Sequence, residues 1–455
     1  MKVQKKQMAI LLTTIIFVLW LIPSIPAEKS NSAVTFTFAI NGIITVILLT
    51  ASCKRSTFSC RTFHYVFCLF FFFIAPYIQY AKGKWPLVYT PTNEGIIKEN
   101  ILICVWEILF FSATLLRKRD IYRENIYVKK GKVPSKTVIY LLIILSGILV
   151  AWMVSRVGVI TLISSRDGGE NVFAGFDSSV SSLLTYVVRN TITFTALFAL
   201  FRFKWKRDNI VQLTLAFVLL AIGCSPIGMP RFEAATVYIA VIVLAFPKLA
   251  KRRIFLYGFI FAFIVMFPLL DVFRYNLFGT VSVGASLQKI GENVVDYYLT
   301  GNFDAFVMTQ KTFDYCSANG FTLGHQLLGS ALFWVPRSLW LSKPLSTAAL
   351  VQNSFGYYGV EANVSSCFIA EAYVDFGIVG VIIYSIVLGT ITHYIDNRIN
   401  LMVMKNEFDL EDILWVLMPT LFFFMMRGAL MSTFGFAASF CVVGVMLIKF
   451  ARKFK

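Results

Sequence analysis

Between Gly320 and Pro344 the chain reads GFTLGHQLLGSALFWVPRSLWLSKP, and two side chains in it have chemistry of their own. His325 supplies an imidazole, which takes up and returns protons near neutral pH and so suits a general base. Arg337 follows twelve positions later, directly after Pro336. A guanidinium makes paired, charge-assisted bonds to phosphate oxygens. Lys343, just before Pro344, adds a second cation. Farther on, Glu371 and Asp375 stand four apart, so in a helix they share one face. They can serve as a base, orient an arginine, or favour the positive end of a helix dipole.

Other arginines extend this set. Arg189 lies about 12 Å inside an apolar segment at 1.5 Å per residue. Placing it there costs about 2.5–3.5 kcal/mol unless it is paired or faces water. A carboxylate such as Glu107 or Glu99 would pair it; otherwise it lines a cavity that receives an anion. Arg231 in Pro230-Arg231-Phe232-Glu233, Arg274 and Arg427 each suit an interfacial residue, and Arg231 can also partner Glu233. Taken together, they suit a ligand that carries phosphate.

The elements that position these groups must cross lipid. Hydrophobic residues make up 58% of 455 positions and charged residues 15%, against about 45–50% and about 25% in soluble domains. Twelve apolar stretches approach the length needed for a hydrocarbon layer of about 30 Å. They are 8–23, 33–51, 63–81, 98–116, 137–155, 181–201, 209–229, 233–249, 254–273, 374–394, 413–427 and 430–449. The first has a basic lead, but Pro23 and Pro26 leave no small-residue cleavage site, so it reads as an anchor.

With the N-terminus in the cytoplasm, 28 of the 42 lysines and arginines fall in inward segments. The net charge of +18 is therefore mainly a topology signal, and nucleic acid is not the expected partner. The eight cysteines have no metal-ligand or redox spacing. The expected architecture is a single membrane domain over 1–455, all-α and polytopic, with both termini inside and a large external loop over 271–375. Within that loop, 285–299 (Leu287, Ile290, Val294, Val295, Tyr298) and 302–315 (Phe303, Phe306, Val307, Gln310, Phe313) have helical apolar spacing. They suggest helices at the membrane surface or over the bundle. Leu323–Val335 is too short to span, and reads as an interfacial or re-entrant helix ended by Pro336. Cys316 and Cys367 lie in the same region and have the option of pairing in an oxidising compartment. A second external loop, 156–180, has turn composition.

Three runs together resemble a known family. Gly320-Phe-Thr-Leu-Gly324 comes first, then Val335-Pro336-Arg337-Ser-Leu-Trp340-Leu-Ser-Lys343-Pro344. Ala370-Glu371-Ala-Tyr373-Val-Asp375-Phe376-Gly377-Ile-Val-Gly380 follows. This pattern, with twelve spans and a late outer loop, is similar to the Wzy-type oligosaccharide repeat-unit polymerases that build O-antigen for lipopolysaccharide. An Arg-x10-Gly pattern of some members is absent at Arg166, Arg189 and Arg337, which are followed eleven positions on by Asp177, Leu200 and Ala348.

The resemblance implies a relative of the lipid-carrier-dependent (GT-C-like) glycosyltransferases in the bacterial inner membrane. It needs no cofactor and takes undecaprenyl-diphosphate-linked oligosaccharides, with a chain-length regulator as a further partner. It makes Arg337, His325, Glu371 and Asp375 catalytic candidates. Arg189, Arg231, Arg274, Lys343 and Arg427 become diphosphate or sugar ligands. A lipid-linked oligosaccharide flippase and an O-antigen ligase are the competing readings.

Overall fold

The computed structural model describes residues 31–54, 56–115, 133–164, 171–173, 178–250, 252–266, 294–357, 364–405 and 409–454. Among the described residues every regular element is helical. In chain order the main helices are α1 (Ser32–Ser52), α2 (Cys60–Ala81), α3 (Asn93–Leu115), α4 (Lys136–Val157) and α5 (Ser178–Lys206). Next come α6 (Ile210–Gly223), α7 (Arg231–Ala245), α8 (Arg253–Phe261), α9 (Ala305–Asn319), α10 (His325–Ala331) and α11 (Thr347–Ser354). The last three are α12 (Phe368–Lys405), α13 (Asp412–Arg427) and α14 (Leu430–Lys453).

Six of these helices carry stretches long and apolar enough to cross a bilayer unaided: Ser32–Ser52, Cys60–Ala81, Lys136–Val157, Val180–Lys206, Phe368–Met402 and Leu430–Lys453. Four other expected spans are shorter or more polar, and the expected span 254–273 runs past the described residues at 266. Helix α6 has 14 residues, α7 has 15 and α13 has 16, while α3 carries Glu94, Lys98, Glu99 and Glu107. The expected span 8–23 lies outside the described residues, as do Arg166, Arg274, Leu287 and Ile290.

The chain forms two compact units. The first comprises Met1–Arg119, Asn293–Asn397 and Phe422–Phe434. Its centre is α2, whose phenylalanine-rich run is buried almost throughout. Over Cys68–Ile74 the helix widens to a π-helix, which alters the backbone bonding there. The Phe72 carbonyl accepts from Asn41 Nδ2 at 3.0 Å, and that amide also donates to Asn100 Oδ1 at 3.1 Å. Thr45 donates to Glu107 at 2.7 Å, and Gln310 of α9 donates to Glu99. Neither acid therefore pairs with Arg189.

Of the two settings expected for 302–315, the membrane surface or over the bundle, helix α9 lies against other helices. Ala305 through Phe313 are all buried, including Thr309, Gln310, Lys311 and Thr312. It packs against α2, α3 and α11. The apolar stripe was real, but its polar face finds partners in distant segments rather than water. Val294–Tyr298 forms a five-residue helix, and Gln79 Nε2 donates to the carbonyls of Tyr298 and Phe303 at 2.8 and 3.0 Å.

The second unit comprises Asp120–Glu292, Arg398–Leu421 and Gly435–Lys455. Helices α4, α5, α6 and α7 pack on one another there, with Ser146 and Thr195 hydrogen-bonded at 2.9 Å and Asn190 donating to Ser439 at 2.8 Å. At the basic end of α5, Arg202 reaches Asp208 at 2.8 Å.

Candidate active site

The motif Pro336–Pro344 closes on itself. The backbone turns at Pro336, whose carbonyl accepts from the amides of Leu339 and Trp340, both at 3.1 Å. The two terminal nitrogens of Arg337 donate to the carbonyls of Lys343 and Pro344 at 2.7 and 2.9 Å. Lys343 Nζ returns the favour, donating to the carbonyls of Phe333 and Val335 at 2.6 and 2.8 Å. Each cation thus staples the strand of loop that precedes or follows the other. Lys343 is buried, and that burial lowers its ammonium pKa, with the nearby Arg337 charge acting in the same direction. Among the described residues, no carboxylate lies within ion-pairing distance of Arg337 or Lys343.

This staple also moves a helix end. Helix α10 stops at Ala331, and the chain turns at Leu332, four residues before Pro336. The carbonyls of Phe333 and Val335 go to Lys343. Pro336 therefore opens the turn and is not what ends the expected 323–335 helix. Gly329 lies against Pro344 and Met431, where an added Cβ would come within 2.4 and 2.9 Å of their side chains.

Asp375 holds the other end of α10. It is fully buried. Its carboxylate accepts from Thr322 Oγ1 at 2.5 Å, from the amides of Gly324 and Gln326 at 3.1 Å, and from that of Leu327 at 2.9 Å. The entering segment runs beside it, with the amides of Thr322 and Leu323 donating to the carbonyls of Val374 and Asp375. A carboxylate from a distant helix therefore does the work of an N-cap, using the donors that every helix start leaves open.

Glu371 does the same for α14. It accepts from the Leu430 amide at 2.9 Å and from Thr347 Oγ1 at 2.5 Å. The two acids share a helix face, as their spacing implied, yet each caps a helix other than its own. That helix breaks just after them: Phe376 has φ −138°, and Gly377 has φ 60° and ψ −144°, a conformation for which glycine is needed. Glu371 and Asp375 thus sit on a short buried turn of helix ahead of the long apolar stretch, rather than opening it.

Arg427, at the end of α13, reaches Asp304 at 3.7 Å and the carbonyls of Gly301 and Asn302 at 3.3 and 3.4 Å. Asp304 also accepts from the Ser365 amide and hydroxyl at 3.0 and 2.6 Å. Burial raises the Asp304 pKa, and the Arg427 charge opposes that rise. His325 differs from all of these. It begins α10, half-buried, with its ring 6.0 Å from that of Trp340, and among the described residues its ring nitrogens make no hydrogen bond.

His325, Arg337, Lys343, Glu371, Asp375 and Arg427 therefore all belong to the first unit. The second unit holds Arg189 and Arg231. Arg189 is buried and forms an ion pair with Glu233 at 3.3 Å, while also donating to the Gly228 carbonyl at 3.2 Å. Its partner is neither Glu107 nor Glu99. Arg231 starts α7, half-exposed. Cys316 and Cys367 are separate, buried thiols that make no disulfide: Cys367 lies 3.2 Å from Thr309 Oγ1 and Cys316 points to the Tyr373 carbonyl. Spacing along the chain could not reveal Thr322, Thr347 or Asp304, because their partners come from segments 24 to 61 residues away.

The model of a family described as O-antigen polysaccharide polymerase Wzy matches residues 7–453. The chain belongs to that family. No curated protein and no solved structure matches it. As a member of the Wzy family, and with its long apolar helices, it is a membrane protein of O-antigen polysaccharide biosynthesis. The capped α10, the stapled Pro336–Pro344 loop and the Phe376–Gly377 break are how the three motif runs fold in this chain.

Proposed function

We propose that the chain extends O-antigen or a related surface polysaccharide on the outer face of the bacterial inner membrane, with both termini in the cytoplasm. The growing glycan passes from undecaprenyl diphosphate to the terminal sugar of a newly delivered lipid-linked unit. The observation that carries this reading is the family match across residues 7–453. The GT-C-like relationship and a chain-length regulator as partner belong to the same proposal.

The geometry favours a division of labour. His325 is the base, because its imidazole is accessible and uncommitted. It takes the proton of the acceptor hydroxyl as that oxygen bonds to the donor sugar's anomeric carbon. The bond from that carbon to the diphosphate breaks, and the diphosphate leaves with the electron pair. Arg337 and Lys343, matched among the described residues by neutral carbonyls, stabilise the charge that develops. Arg231 remains a candidate for the second carrier, Arg274 is a further one from outside the described residues, and Arg427, paired with Asp304, acts as a positioning residue. Glu371 and Asp375 act as positioning residues. Leu323, Trp334, Leu339 and Leu341, which are 78%, 62%, 81% and 91% exposed, favour placing this segment among lipid headgroups and upper acyl chains.

Cells lacking the gene test the reading. Restoring the wild-type chain should restore a full polymer ladder, whereas His325→Ala should leave lipid A capped with single repeat units. Bare lipid A in the deletion strain would point instead to a ligase. Repeat units stranded on the cytoplasmic side would point to a flippase. A wild-type ladder from His325→Ala would remove the base assignment.

A further inference from the structure

Lys311 is a buried cation whose surroundings the polymerase mechanism does not use. It lies on α9, is 1% exposed, and has one hydrogen bond, from Nζ to Gln352 Oε1 at 2.8 Å. Its charge also meets three aromatic rings. The ammonium sits over the rings of Tyr357, Phe355 and Tyr89, at 4.6, 4.8 and 5.8 Å from their centroids. Three rings around one ammonium fix one another, because each is attracted to the same charge through its electron-rich face.

The rings keep exposed surface among the described residues. Tyr357 is exposed, and Tyr89 and Phe355 are half-exposed. Tyr89 and Phe355 meet edge to face at 6.0 Å. The Tyr89 hydroxyl donates to Asp314 at 2.5 Å, and Asp314 is exposed. Burial and that carboxylate together raise the Tyr89 phenol pKa, so it stays a donor. The cluster thus offers held aromatic faces bordered by a carboxylate and a phenol. Among the described residues that touch these rings, Lys311 brings the ammonium and Asp314 the carboxylate.

We infer that Tyr89, Phe355 and Tyr357, set from beneath by Lys311, are a saccharide platform on which a pyranose of the repeat unit stacks, with Asp314 accepting from its hydroxyls. The apolar C–H face of a sugar ring packs on an aromatic face, and its hydroxyls need acceptors beside it. Lys311 is a positioning residue that touches the rings and not the sugar. This inference rests on the polymerase reading and names a glycan subsite apart from the His325 and Arg337 groups.

The test uses the full chain purified into lipid nanodiscs. The probe is the repeat-unit oligosaccharide released by mild acid from the lipid carrier of cells lacking this gene. Calorimetric titration should show saturable binding to the wild type, weakened about tenfold by Tyr357→Ala, as expected for the loss of one stacked ring. Tyr357→Phe should bind within about twofold of wild type, since the ring is kept. Asp314→Asn, at an exposed position, keeps an acceptor for the Tyr89 hydroxyl and should weaken binding without affecting folding. Wild-type affinity in both Tyr357→Ala and Asp314→Asn would overturn the platform, as would a wild-type chain that does not bind the probe. If those results came from a chain that still restores a polymer ladder in deletion cells, the platform would fall and the polymerase reading would stand. A chain that restores no ladder would overturn both.

Discussion

Arg337 with Lys343, and Arg189 with Glu233, show two ways of housing a cation in a largely apolar protein. Arg189 meets a carboxylate at 3.3 Å in a buried setting, so its charge is neutralised where it stands. Arg337 and Lys343 meet four backbone carbonyls, which occupy part of their donors and leave both charges in place. A buried pair has little left to offer a ligand. A stapled, uncompensated pair holds a fixed positive field at one spot, which is what a departing diphosphate requires. The two sites look alike in sequence, as arginines in apolar company, and differ in what an anion would meet.

Disrupting the neutralised pair should give the largest effect on stability. Arg189→Met leaves Glu233 buried beside its remaining neighbours, and removing one partner of a buried pair costs about 3–5 kcal/mol. Thermal unfolding in nanodiscs should show a large loss. The double variant Arg189→Met with Glu233→Met should recover most of the stability and restore a polymer ladder, since replacing both charges with apolar groups is often neutral. A stable double variant with no ladder would return Arg189 to the ligand set.

A smaller effect sharpens the other side of the comparison. Because burial and Arg337 lower the Lys343 pKa, this ammonium loses its proton at a lower pH than a free lysine would. Diphosphate docking should be intact below that folded-state pKa and fall as pH rises through it. Stability has the opposite slope: between the lowered and the ordinary pKa the unfolded chain binds more protons, so folding becomes more favourable as pH rises. Lys343→Arg should move the decline in polymerisation by membrane vesicles to higher pH. An alkaline limb that stays where it was would exclude Lys343 as its source.

Much of the helical layout was legible because apolar length is a local property of sequence. The Glu371–Asp375 face was legible for the same reason, since four residues make one helical turn. Their task was not, because the amides they cap belong to Leu430 and to Gly324, Gln326 and Leu327. Helix α9 was legible as a helix from its stripe, which includes Gln310, but not in its partners: Gln310 meets Gly95 and Glu99, and Lys311 meets Gln352, all from distant segments. The helix stops at Ala331, before Pro336, and Lys343 takes the Phe333 and Val335 carbonyls beyond that end. The Phe376–Gly377 break is written in a motif, yet a lone glycine in an apolar run gives no sign of which way the chain turns.

The most direct test is polymer length in cells whose only copy carries Arg337→Ala, beside the Arg189→Met, Glu233→Met double variant. If the stapled cations serve the diphosphate and the neutralised pair serves the fold, Arg337→Ala should reduce chain extension by roughly 10²-fold or more, the scale of losing one charge-stabilising donor. Single repeat units should then cap lipid A, while the double variant makes long chains. A full ladder from Arg337→Ala, in protein present at wild-type level, would contradict the account.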